Sequence, residues 1–222
     1  MEQFLKPTYF IDYVNQEIQE KAKMLTESIP KNDIKEQIKA LFYFIRDEIK
    51  YKIVVDIFTR KSLKASRTLK NGYGFCITKA TLLTALARAL KIPSRLHFAN
   101  IRNHRITDSL LELMGTNLFA YHGYSEVFLD GKWIKLNPAF DLELCEEKGF
   151  IPVEFDGENH ALFSKVDVYG QPFVEYIEDH GTFSDIPYNK IVTAWAEIYG
   201  PRMMETAALL KKQAEKDDYK RL

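Results

Sequence analysis

A helix that is apolar on every face has nowhere to sit but the inside of a protein, and residues 76–90 encode one. Ile77, Ala80, Leu82, Leu83, Ala85, Leu86, Ala87, Ala89 and Leu90 leave no polar stripe, and Pro93 closes the run. Asn71-Gly72-Tyr73-Gly74-Phe75 precedes it, with two glycines in three residues, which marks a tight backbone path that also lets another chain approach closely. Cys76 follows at the first turn. A thiol there meets the positive end of the helix dipole and unpaired N–H groups, both of which favour the thiolate. The plainer alternative is a small buried core residue, since free cysteine is among the most buried residue types.

The rest of the chain is long enough to wrap such a helix. It has 222 residues, 46% apolar and 28% charged, so a packed core is expected rather than disorder. Lys plus Arg equals Asp plus Glu at 31 each, and no basic cluster provides a nucleic-acid footprint. The mixed-sign run Lys211 to Arg221 reads as a solvated helix end. Cys76 and Cys145 are the two cysteines, and a chain of this size needs no disulfide staple. No run resembles a signal peptide or reaches membrane-spanning length. The expectation is a reduced, cytoplasmic protein with no nucleic-acid or membrane partner and no cofactor.

Two amphipathic helices come first. Ile11, Val14, Ile18, Ala22 and Leu25 predict one over residues 8–28, with Thr8 as N-cap and Pro30 as terminator. A second begins near Asn32 or Asp33, with Glu36 placed as in a capping box and Ile34, Ile38, Leu41, Phe42, Ile45 and Ile49 as its stripe. Residues 51–59 are β-rich and fit either an extended segment or a bent continuation of that helix. Residues 60–70 read as the loop that delivers Cys76. Arg95 to Ile101 reads as a strand. Residues 102–120 read as a lid or insertion with a short helical piece, Leu110 to Met114.

The strongest local signal lies at His122–Leu129 and Lys132–Asn137, two β-rich runs joined by Asp130-Gly131. With those two as turn residues, Leu129 faces Lys132, Phe128 faces Trp133, Val127 faces Ile134 and Glu126 faces Lys135. These are chemically sensible cross-strand pairs. Ser125 with Leu136 and Tyr124 with Asn137 follow. His122 then lies on the same face as Asn137, a diagonal neighbour about 7–8 Å away at the backbone. A cysteine at a helix start, a histidine on a strand and an amide on the next strand make a nucleophile, a base and an orienter.

These segments resemble the transglutaminase-like superfamily of papain-like fold. The likeness runs from about Ile34 to Asp141. It is carried by Phe44-Ile45-Arg46-Asp47-Glu48-Ile49-Lys50-Tyr51, by Gly72-Tyr73-Gly74-Phe75-Cys76 opening its helix, and by Ile92-Pro93-Ser94-Arg95. His122-Gly123-Tyr124-Ser125-Glu126-Val127 and Gly131-Lys132-Trp133-Ile134-Lys135-Leu136-Asn137-Pro138 complete it. The resemblance implies an α+β, papain-like fold: N-terminal helices and a buried Cys-bearing helix packed on an antiparallel sheet. It also implies a catalytic triad at Cys76, His122 and position 137. The family usually has Asp where Asn137 stands, although papain uses Asn in that role. Tyr124 replaces the usual Trp after the histidine, and Ile77-Thr78-Lys79 replaces an aromatic and an acid after the cysteine.

The expected activity is attack of Cys76 on an amide carbonyl of a peptide or other amide substrate. His122 shuttles the proton, and the Cys76 N–H with an upstream aromatic, Tyr51, serves the oxyanion. Water as acceptor gives a peptidase or amidase, whereas an amine gives a transamidase; no acidic calcium loop of EF-hand type is present. A non-catalytic binding or scaffold domain that keeps the fold is the alternative. The whole chain, 1–222, is expected to form one domain with its core at about 34–141. Residues 142–222 would extend the sheet or cover the cleft, through the runs 153–155, 161–163 and 173–177, and end in helices. Pro187 starts one of these, which Gly200-Pro201 closes, and another runs from Met203 to about Lys216. His160 and His180 lack metal-ligand spacing, and the acids beside Cys145 make it a poor nucleophile.

Overall fold

The structure is a computed structural model and describes residues 1–53 and 59–200. The helix expected from Met203 onward lies outside the described residues, as do 54–58.

The first long helix is shorter than its apolar pattern. Helix α1 spans Gln16–Thr26, because Asn15 caps it by accepting from the N–H groups of Glu17 and Ile18. Thr8 instead closes a turn, its hydroxyl accepting from Ile11 N–H at 3.1 Å. Val14, counted in the stripe, is exposed. Helix α2, Ile34–Tyr43, starts where the capping box places it, with Asp33 accepting from Glu36 N–H. It runs on as a π-helical turn over Phe44–Glu48, and strand β1, Lys50–Tyr51, follows. Where residues 51–59 are described they leave the helix: Tyr51 is strand, and Lys52 and Ile53 belong to neither helix nor strand.

The delivery segment is not a loop. After a 3-10 turn at Arg60–Leu63, helix α3 spans Ala65–Asn71 and stops at Gly72, which takes the left-handed cap at φ 68°. Strand β2, Tyr73–Gly74, pairs parallel with β1 and leads into helix α4, Cys76–Ala89. Helix α4 is the buried axis of the fold. Residues Ile77 to Arg88 are all buried, and α1, α2, α3 and the sheet pack around them.

The main sheet is antiparallel with order β5-β4-β3-β6. Its strands are β3, Ser94–Asn103; β4, Leu118–Leu129; β5, Lys132–Leu136; and β6, Val174–Phe183. Between β3 and β4 lies helix α5, Asp108–Met114, capped by Thr107 and ended by Gly115. The hairpin register follows the side-chain pairing from Leu129 with Lys132 to Ser125 with Leu136. Phe128 and Trp133 meet edge to face at 5.3 Å. Glu126 faces Lys135 in register, but its carboxylate goes elsewhere, to Arg95 and His97 at 2.6 Å each. The ladder ends one pair early, because Asn137 N–H turns to Ala161 carbonyl at 2.8 Å. Residues 142–183 add helix α6, Leu142–Lys148, and edge strand β6, of which the sequence pattern showed only part. A helix over residues 188–200, α7, lies against the start of β4.

Candidate active site

Cys76 is the first residue of α4 and is partly exposed. The chain before it is fixed by Thr78, whose hydroxyl accepts from Phe75 N–H at 3.0 Å and donates to the Phe75 carbonyl at 3.2 Å. That hydroxyl would lie 2.4 Å from any Cβ at position 74, so glycine is required there by close approach. Gly123 is required for a parallel reason. A Cβ on it would meet Phe98 at 3.0 Å and Ile77 Cα at 3.2 Å, so only glycine lets β4 lie flat on the start of α4. That approach brings the Gly123 N–H close enough to help lower the Cys76 thiol against its burial.

His122, one residue earlier, is buried, and Asn137 Nδ2 lies 3.0 Å from its Nε2. Tyr176 from β6 adds its hydroxyl 3.4 Å from the same Nδ2. The hairpin thus brings His122 and Asn137 into contact, and its glycine ties the strand to Cys76. Tyr51 joins them from β1: its N–H donates to Asp141 Oδ2 at 2.7 Å, and its ring packs edge-on to Phe140. Its phenol is pushed up by burial first and then by the neighbouring Cys76. Tyr176 and Tyr199 are pushed up by burial first and, more weakly, by the same thiol, so tyrosines from β1, β6 and α7 share its electrostatic surroundings. Sequence reasoning had no signal for the last two, since each is one aromatic in an amphipathic run.

The electrostatics differ from the expectation of a thiolate. Burial pushes the Cys76 thiol up to about 11, outweighing the N–H groups of Gly123, Ile77 and Cys76 that pull it down. Burial likewise presses the His122 imidazole down to about 3, against its hydrogen bond to Asn137. Helix-terminus stabilisation is worth less here than the desolvation of the sulfur anion. At neutral pH the resting pair is therefore thiol and neutral imidazole. Cys145 is buried and pushed up to about 12, by burial first and then by Asp141 rather than by the acids next to it in the chain.

A bulge aims His122. Ala99 pairs with His122 and Ile101 with Phe119, so Ala120 and Tyr121 together oppose Asn100 alone. Tyr121 takes φ 54°. The backbone groups this frees are all met by side chains: Tyr121 N–H donates to Asn100 Oδ1 at 2.9 Å, and Ala120 N–H to the Tyr199 hydroxyl at 2.7 Å. Ala120 carbonyl accepts from Trp195 Nε1 at 2.8 Å. His160 and His180 serve the frame, accepting from Lys135 N–H and meeting Asn100 Oδ1 respectively. Among the described residues no group of three His, Cys, Asp or Glu is placed to hold a metal ion. Among them, too, no helix is long and apolar enough to cross a membrane.

A family model described as the transglutaminase-like superfamily matches residues 23–138, more than half of the chain. The chain belongs to the transglutaminase-like superfamily. Its mixed α/β architecture, a buried Cys-bearing helix on an antiparallel sheet, is the papain-like core of that superfamily. Among solved structures, the chain is similar to a "putative cysteine protease" from Cytophaga hutchinsonii. Identity is 18% and TM-score 0.46, over 81% of this chain and 53% of that one. It is also similar to a "putative protease" from Parabacteroides distasonis, at 18% identity and TM-score 0.39, over 55% of this chain and 23% of that one. The chain thus spans about half the length of the first and a quarter of the second. No curated protein matches it.

Proposed function

We propose that this member of the superfamily is a thiol hydrolase of peptidase or amidase type, with Cys76 as nucleophile, His122 as base and Asn137 as orienter. The observation that carries the reading is the contact between His122 Nε2 and Asn137 at 3.0 Å, beside Gly123, which packs against Ile77 at the start of the Cys76 helix. The two ends of an amide have nearly the same shape, and Asn137 Oδ1 as placed is buried without a partner. With the oxygen turned toward the ring, it accepts from Nε2–H and from the Tyr176 hydroxyl, and Nδ1 is left unprotonated as the base.

In the reaction the sulfur attacks the amide carbonyl, and His122 takes the thiol proton as the C–S bond forms. The oxyanion is met by the Cys76 N–H and the Tyr51 phenol. The C–N bond then breaks, and the proton passes from His122 to the leaving amine. Water attacks the thioester by the reverse path, giving acid and free thiol. Because the resting pair is neutral, proton transfer accompanies attack instead of preceding it.

That same neutrality favours the second reading, a binding domain that keeps the fold without turnover. One experiment separates the two: incubation with p-nitrophenyl acetate, followed by intact-protein mass and release of p-nitrophenolate. A hydrolase acetylates at Cys76 and turns over, Cys76→Ala abolishes the adduct, and His122→Ala slows it at least 100-fold. A wild type with neither an adduct nor p-nitrophenolate release above the buffer rate supports the binding domain. If an added primary amine carries off the acetyl group as amide, the chain is a transamidase.

A further inference from the structure

A cavity of about 200 Å³ opens beside the imidazole. Tyr51, His122, Phe140 and Phe163 form the wall it shares with the proposed site, and Ile101 and Val174 line its far side. The aromatic wall is braced from behind. Phe140 lies 4.7 Å from the rings of both Tyr51 and Phe163, and Phe163 lies 5.4 Å from His122. Exposed Arg105, Thr107 and Lys148 mark the mouth. A hydrocarbon-lined space of about 150 Å³ already holds a benzene molecule and stays dry when empty. This one is larger, preformed, and open to a reacting group on one side.

We propose that this cavity seats a phenyl-sized or branched aliphatic group on the acyl side of the substrate, so that the chain selects amides whose carbonyl carries a large apolar neighbour. The inference rests on the thiol-hydrolase reading. The acyl side is chosen because Tyr51 belongs both to the cavity wall and to the proposed oxyanion donors, which face the acyl carbonyl. The seated group also covers the edge of His122 and keeps water from the imidazole while the proton moves. A small polar acyl group, such as acetyl or glycyl, leaves the cavity empty and gains nothing from it.

The test compares p-nitrophenyl 3-phenylpropanoate with p-nitrophenyl acetate. In each, the Cys76 sulfur bonds to the carbonyl carbon and p-nitrophenolate leaves. Each acylation rate is divided by the rate of the same ester with glutathione, which removes intrinsic reactivity. The expected result is a preference of at least tenfold for the phenylpropanoyl ester, with the adduct at Cys76 by peptide mass. Leu110→Trp, which fills the cavity from α5, should erase the preference by slowing the phenylpropanoyl ester. If that variant does not fold, Val174→Phe fills the opposite wall. Equal normalised rates for the two esters in wild type overturn the cavity proposal and leave the thiol reading standing. Failure of both esters to acylate Cys76 removes the thiol reading, and the cavity proposal with it.

Discussion

Asn137 sets the charge state of its neighbours by what it does not carry. A neutral amide beside a buried imidazole offers orientation but no counter-charge, so burial prevails and His122 is pressed to about 3. Asn137→Asp places a carboxylate about one hydrogen bond from Nε2 and supplies that counter-charge. The imidazolium then persists to higher pH, and a thiolate–imidazolium pair becomes populated nearer neutrality. In wild type, iodoacetamide labelling of Cys76 should climb as pH rises toward 11 and remain slow at pH 7, with Cys145 slower still, its thiol pushed up to about 12. In Asn137→Asp the Cys76 profile should move at least one pH unit toward neutral. An unmoved profile would show that residue 137 does not act on His122. The opposing possibility, that the substitution merely loosens the site, predicts faster labelling of Cys76 and Cys145 alike.

At the scale of elements, the hairpin was legible because pairing rules, turn chemistry and face alternation all pointed to one register. The bulge was not. Ala120-Tyr121 carries no glycine or proline to announce it, and its partners lie far along the chain, Asn100 on β3 and Trp195 and Tyr199 on α7. Helix α3 was missed because its polar, basic surface mimics a loop, whereas its burial of Ala65 and Thr68 is a tertiary event. Lys79 was also silent in the sequence. It is fully buried and donates to the carbonyls of Arg46 and Ile49, satisfying the end of the π-turn just before Tyr51. The bulge has a separable test. Trp195→Phe leaves the Ala120 carbonyl without its indole donor, which should cost about 1–3 kcal/mol of stability, read as a lower urea midpoint. The acylation that depends on the aim of His122 should fall about tenfold or more. Alkylation of Cys76 by iodoacetamide near pH 10 needs no base and should stay within about twofold. A drop in stability with acylation intact would assign the bulge to folding alone.

Across the whole molecule, the buried polar groups that assemble the fold also make its stability depend on pH. Arg88, near the end of α4, donates to the carbonyls of Lys6, Ser94 and Ser184, joining the N-terminal segment, β3 and the stretch before α7 through one guanidinium. The apolar pattern of α4 predicted its burial but not this clamp, because three carbonyls from distant segments leave no trace in local spacing. His122 gives the acid limb. Its folded value is about 3 against an ordinary 6.5, so between those pH values the unfolded chain binds a proton that the folded chain refuses. Stability therefore falls as pH drops below 6.5, by about 1.4 kcal/mol for each pH unit across that window and several kcal/mol in all, a large share of the about 5–15 kcal/mol that ordinary domains possess. Cys76 and Cys145 give the alkaline limb. Both thiols ionise more readily unfolded, so stability falls as pH rises above 9.0. Lys79 opposes them, since burial lowers it from 10.5 to about 7 and the unfolded chain binds its proton more tightly, which adds stability as pH rises through that window. The melting temperature should therefore be highest near pH 9, where the gain from Lys79 meets the loss from the two thiols. His122→Gln, neutral at every pH, should flatten the limb between pH 6.5 and 3, leaving the part due to Glu126. Burial raises that carboxyl, but hydrogen bonds from His97 and Arg95 hold it below its ordinary range. A thermal-melt series in which His122→Gln keeps the full wild-type slope would place the acid limb in carboxylates, and would mean that His122 already accepts protons in the folded chain.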